Sequence, residues 1–84
     1  YILYIESLED YVRICTRTRK IVALQTMKYL ESFLPKPRFV RVHRSFLVAF
    51  DAVTSVTGAS IQIGGTSIPI GKSYRDDFFR LIQQ

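Results

Sequence analysis

The spacing of apolar and polar positions changes character several times along the chain, and each change predicts a different element. Tyr1 to Glu6 is a short aromatic and β-branched run without helical caps, which predicts a strand, with Leu8-Glu9-Asp10 as the turn behind it. Tyr11 to Arg17 alternates. Val12, Ile14 and Thr16 fall on one face, and Tyr11, Arg13, Cys15 and Arg17 fall on the other. That predicts a half-buried strand whose arginine face meets water or a ligand. A polar tip at Thr18-Arg19 leads to a third strand, Lys20 to Leu24.

At Gln25-Thr26 the period lengthens. Met27, Leu30, Phe33 and Leu34 share one face at helical spacing, Thr26 is the N-cap, and Pro35 with Pro37 ends the helix, so the stripe reads as core packing. Phe39 to Val42 reads as a strand, His43 to Ser45 as a turn, and Leu47 to Ala49 as a short strand. From Ala52 onward a meander follows: Val53 to Val56, Ser60 to Ile63 and Thr66 to Ile70, with Gly58 and Gly64-Gly65 at the turns. Pro69 removes a backbone donor and sets the last of these strands at a sheet edge or end. Ser73 to Gln84 closes the chain as a helix, with Ser73 and Asp76 as a capping box and Tyr74, Phe78, Leu81 and Ile82 as its buried stripe. The expected fold is therefore mainly β, an elongated arrangement of small antiparallel sheets or a sandwich, with one short internal helix and a C-terminal helix.

At 84 residues and 48% hydrophobic composition, residues 1–84 form one folded domain with a modest core. No apolar run approaches the roughly 18 residues of a membrane span. Tyr1 to Ile5 lacks the basic flank of a signal peptide, and Cys15 as the single cysteine is expected to pack as a small apolar residue, consistent with the cytoplasm. The net charge is +5, and its distribution matters more than its size. Acids are absent from Tyr11 to Leu30, from Ser32 to Phe50 and from Ala52 to Arg75, so long tracts present only basic charge to a polyanion.

Counting parts disfavours catalysis. His43 is the sole imidazole, and although Ser45 lies two residues away, a triad needs a carboxylate from a distant element. One His and one Cys lack metal-ligand spacing. Gly71-Lys72-Ser73 lacks the glycine run of a phosphate-binding loop that hydrolyses nucleotides. A non-enzyme without metal or cofactor is expected.

Two places suit polyanion binding. Arg38 to Val48 places three arginines, the histidine and a serine among six apolar side chains, so burying the apolar set turns the polar ones outward at the His43-Arg44-Ser45 bend. Gly71-Lys72-Ser73 precedes a helix, where free N–H groups and the dipole favour an anion, with Lys72 and Arg75 adding charge.

The chain resembles the LytTR family of bacterial DNA-binding domains. The resemblance rests on Ile5-Glu6-Ser7 with Asp10-Tyr11-Val12, on Phe33-Leu34-Pro35, on Phe39 to Val48 (F-V-R-V-H-R-S-F-L-V) and on Ile68 to Tyr74 (I-P-I-G-K-S-Y). It implies a β domain that reads duplex DNA through loops. The implied base contacts are Arg44, Lys72, Asp10 and Tyr11, with Lys72 open between a base and a phosphate; Arg13, Arg41, His43, Ser45, Ser73 and Arg75 are implied as phosphate contacts or supports. Among these, His43 is read as a hydrogen-bonded hinge of its turn, and Arg17, Arg19 and Lys20, at the far end of their hairpin, as a solvated face. The resemblance also implies promoter direct repeats as target, a dimer on DNA, and an N-terminal receiver or other sensory domain in the whole protein. The family commonly carries Asn at Ala49 and Ser-Arg at Gly71-Lys72, and normally begins with a further strand before Tyr1, so the chain is expected to lack its first strand or so. Two other readings come from the residues themselves: a protein-interaction module using an exposed strand edge, and an RNA-binding β domain, which is less favoured because most aromatics sit at core-type positions.

Overall fold

The structure is a computed structural model and describes residues 1–83. Five strands make the larger sheet: β1 (Ile2–Ser7), β2 (Val12–Thr16), β3 (Lys20–Ala23), β4 (Phe39–His43) and β5 (Phe46–Ala49), ordered β3-β2-β1-β5-β4 with every pair antiparallel. A 3-10 turn, Phe50–Ala52, leads to a smaller antiparallel sheet of β6 (Ser55–Val56), β7 (Ser60–Ile63) and β8 (Thr66–Pro69). Helix α1 (Met27–Phe33) joins β3 to β4, and α2 (Lys72–Ile82) follows β8. The β7–β8 turn uses Gly64 at φ 59°, a region open to glycine. Pro69 ends β8 on an edge of the smaller sheet, where no ladder donor is needed.

Cross-strand partners share a face, which explains how the larger sheet is covered on both sides. Ile5, Val12 and Leu47 pack with Met27 and Leu30 of α1 on one side. On the other, Tyr4, Cys15, Val42 and Val48 meet Ile61, Ile63 and Ile68 of the smaller sheet and Phe78 of α2. The expectation that the Cys15 face of β2 meets solvent is thus corrected: Cys15 is buried, because the second sheet closes over that side. Its packing as a small apolar residue holds.

Two helix stripes also differ from their sequence pattern. Thr26 caps α1, its hydroxyl accepting from Tyr29 N at 3.0 Å, but Phe33 is 71% exposed and stacks on Tyr29 at 6.1 Å. The helix has only seven residues, so its buried side is filled by Met27 and Leu30, with Leu34 beyond its end completing it. In α2, Phe78 is fully buried while Ile82 is exposed, and Phe79 packs on the core in its place. That helix begins at Lys72 with Gly71 as N-cap and without a side-chain cap, which corrects the Ser73–Asp76 capping box. Gly71 N donates to Val42 O at 2.7 Å, and this backbone bond fixes where the chain turns into the helix. Gln84, expected as the end of α2, lies outside the described residues.

Candidate nucleic-acid interface

Three connections meet at one end of the larger sheet. The β1–β2 turn is closed by Leu8 N donating to Tyr11 O at 2.8 Å, and it exposes Glu9, Asp10 and Tyr11. At the end of β1, Ser7 N donates to Ser45 O at 2.8 Å, tying this turn to the β4–β5 bend. That bend is tied in turn to the start of α2 by the bond from Gly71 N to Val42 O. A Cβ placed on Gly71 would sit 3.6 Å from His43 Cα and 3.1 Å from the Tyr74 ring, so only a residue without one allows this approach undisturbed. Arg44, two residues after Val42, and Lys72, directly after Gly71, therefore leave the molecule from adjoining backbone, and both are exposed.

The bend itself is braced from behind. Arg41 lies on the α1 side of the sheet, opposite Leu47, and its side chain is 17% exposed. Its Nε donates to His43 O at 2.9 Å, Nη1 to Glu31 Oε1 at 2.8 Å, and Nη2 to Arg44 O, while the guanidinium lies 5.9 Å from the centre of the Tyr74 ring. A planar fork with several fixed donors can hold two successive carbonyls and a carboxylate at once, and a lysine cannot. His43 Nδ1 accepts from Ser45 N at 3.0 Å and its ring meets the Phe46 ring edge-on at 5.7 Å. With Nδ1 accepting, neutral His43 carries its proton on Nε2.

The remaining predicted residues are placed less uniformly. Arg13 is paired with Glu6 at 2.8 Å, and this hydrogen bond and charge raise the pKa of its guanidinium. Ser45 is half-buried under the bend. Lys72 and Ser73 open the first turn of α2, where backbone N–H groups have no intrahelical acceptor. Arg75 is half-buried one residue past Tyr74, and its Nε is buried without a protein partner. Glu31 and Tyr74 were not among the expected site residues, yet they carry Arg41. Glu31 was visible as the lone carboxylate between Tyr11 and Phe50.

A small β scaffold whose connecting bends carry exposed cations at one end suits the binding of a polyanion such as DNA. Residues 1–83 match the LytTr DNA-binding domain, and the chain belongs to that family. It is 27% identical over 88 residues to the sensory transduction protein LytT of Bacillus cereus, covering 98% of this chain and 36% of that protein. The LytT of Bacillus subtilis is 26% identical over 87 residues, with 96% and 36% covered. The chain thus spans about a third of the length of these relatives. Among solved structures, the LytTr DNA-binding domain of a Bacillus cereus protein described as a methyl-accepting/DNA response regulator superposes with a TM-score of 0.89 at 22% identity, over 99% of this chain and 82% of that one, so the fold is shared. No helix among the described residues is long and apolar enough to cross a membrane.

Proposed function

We propose that this chain reads specific sequences in duplex DNA as the output module of a bacterial transcription regulator working in the cytoplasm. The observation that carries the reading is the backbone bond between Val42 and Gly71, which joins the segments that carry Arg44 and Lys72 at the end of the sheet where Ser7 meets Ser45. Arg44 is the base reader: an exposed guanidinium on a braced bend offers the bidentate geometry that fits guanine in the major groove. Lys72, a mobile point charge at a helix start, holds a phosphate, with the N–H groups of Lys72 and Ser73 beside it. Asp10 and Tyr11 meet base edges next to Arg44, while Arg75 and Arg13 line the flanking backbone. Arg41 and His43 are supports. No step calls for catalysis or a cofactor.

In the whole protein a receiver or other sensory domain controls this module, as the partial coverage of the LytT relatives supports, and two copies occupy promoter direct repeats. Selection from a random duplex pool tests the reading. A pair of spaced, same-orientation repeats should be enriched; recovery of unrelated sequences would reject it.

One observation favours a second reading. β3 is the open edge of the larger sheet, and Val22 and the adjoining Leu24 are exposed along it, as strand addition by a protein partner requires. Binding that survives high salt would support this alternative, because phosphate contacts weaken steeply with ionic strength.

A further inference from the structure

The end of the larger sheet opposite the Arg44 bend carries its own concentration of positive charge. The register places it there: Thr16 pairs with Ile2 and Lys20 with Cys15, whereas Val12 pairs with Ser7 at the Arg44 end. The six residues of β1 separate the two ends by about 20 Å.

Arg17, Arg19 and Lys20 are all exposed at the β2–β3 hairpin tip. From composition they read as a solvated face, but the tip is a built structure. The Thr16 hydroxyl donates to Arg19 O at 2.9 Å and accepts from Arg19 N at 3.0 Å, and Thr16 N donates to the same carbonyl at 2.8 Å. The Arg17 guanidinium lies 5.9 Å from the centre of the Tyr1 ring. Arg38 joins from the start of β4, sharing with Tyr1 a groove that also includes Asp51. The ion pairs of the described residues are Arg13–Glu6, Arg41–Glu31 and Arg80–Asp77, so none of these four cations is ion-paired among the described residues.

We propose that this pole holds the phosphate backbone of a second duplex segment, without regard to sequence, while the opposite end reads its site. The proposal rests on the DNA-binding reading above. Guanidinium forks and a threonine-locked turn suit phosphate oxygens. A duplex carries one charge per roughly 1.7 Å of axis, and flanking or looped DNA is the densest polyanion near a domain already seated on DNA. The domain then acts as a bridge between two duplexes.

The test is a bridging assay. Protein is loaded on a bead-bound duplex at low salt, and capture of a second, fluorescent duplex is measured, with protein retained on the bead read separately. The protein should capture the second duplex. A variant combining Arg17→Gln, Arg19→Gln and Lys20→Gln should remain on the bead and capture it roughly tenfold less well. Retention without capture by the unaltered protein overturns the bridge alone. Undiminished capture by the variant also overturns it, since a dimer using two Arg44 ends then accounts for the bridging. Failure of the protein to stay on the first duplex overturns both this inference and the DNA-binding reading.

Discussion

The Arg41 Nε donates to the carbonyl of His43 at 2.9 Å, across the bend that carries Arg44. The same guanidinium reaches Glu31 and the Arg44 carbonyl, so one side chain ties the bend to α1. The exposed Arg44 is thus positioned by a second arginine that is itself largely covered.

Replacement of Arg41 by lysine should loosen the bend more than it harms the core. The ammonium can keep the Glu31 contact but cannot hold both carbonyls. We expect a loss of about 1–2 kcal/mol in urea denaturation. Affinity for a selected site should fall further than affinity for a scrambled duplex. Equal falls on both duplexes would show that the brace sets charge and not geometry.

Arg44 is exposed and its side chain makes no ion pair among the described residues, so Arg44→Ala should leave the denaturation midpoint unchanged. On a selected site the substitution should cost about 1–3 kcal/mol and relax preference at the contacted base. Competition binding with single-base variants of the site measures both effects.

His43 links the bend to Ser45 and packs on Phe46. His43→Ala should lower stability by about 1 kcal/mol through the lost hydrogen bond and ring contact. His43→Gln should keep the fold, with only a small change in DNA affinity. Thermal denaturation and titration of both variants check this, and a strong loss of binding in the glutamine variant would make the imidazole a direct contact.

These expectations show which parts of the site local sequence exposes. The meander strand Ser60 to Ile63, the Gly64-Gly65 turn and the Thr26 cap are legible because each signal acts within a few residues. The His43-Arg44-Ser45 bend was readable for the same reason. Alternation in Tyr11 to Arg17 puts Cys15 on the arginine face, and it shows two faces without showing that a second sheet covers one of them. Phe33 read as core from its spacing, but a seven-residue helix has too short a buried side to use it. Ser73 and Asp76 had the residue types of a capping box, and a long-range bond from Gly71 to Val42 started the helix earlier. The brace from Glu31 to Arg41 and Tyr74 joins three elements distant in sequence, so no local pattern contains it.

Burial raises the pKa of the Tyr4 phenol, and the neighbouring Cys15 thiol raises it further. The native state therefore holds this proton more tightly than the unfolded chain does. The resulting stability is fully present below the ordinary phenol value of about 10 and is lost as pH climbs through the higher folded value. Urea midpoints measured at pH 8 and pH 11 should drop more in the unaltered protein than in Tyr4→Phe. Identical drops would assign the alkaline loss to other groups.

Lys72 and Arg44 share one end of the molecule but are expected to differ in what they contribute. A lysine at the first position of α2 is a mobile charge, so Lys72→Ala should weaken selected and scrambled duplexes alike. Each phosphate contact removed lowers the slope of log affinity against log salt by about 1. Arg44→Ala should instead reduce the preference for the selected site over the scrambled duplex, because base-edge contacts carry that difference. Lys72→Arg offers a sharper comparison, since it adds the fork that fits guanine without changing charge. If Lys72 faces only phosphate, this variant should keep the salt slope and select the same repeats. A new guanine in the sites it selects would place residue 72 within reach of a base edge.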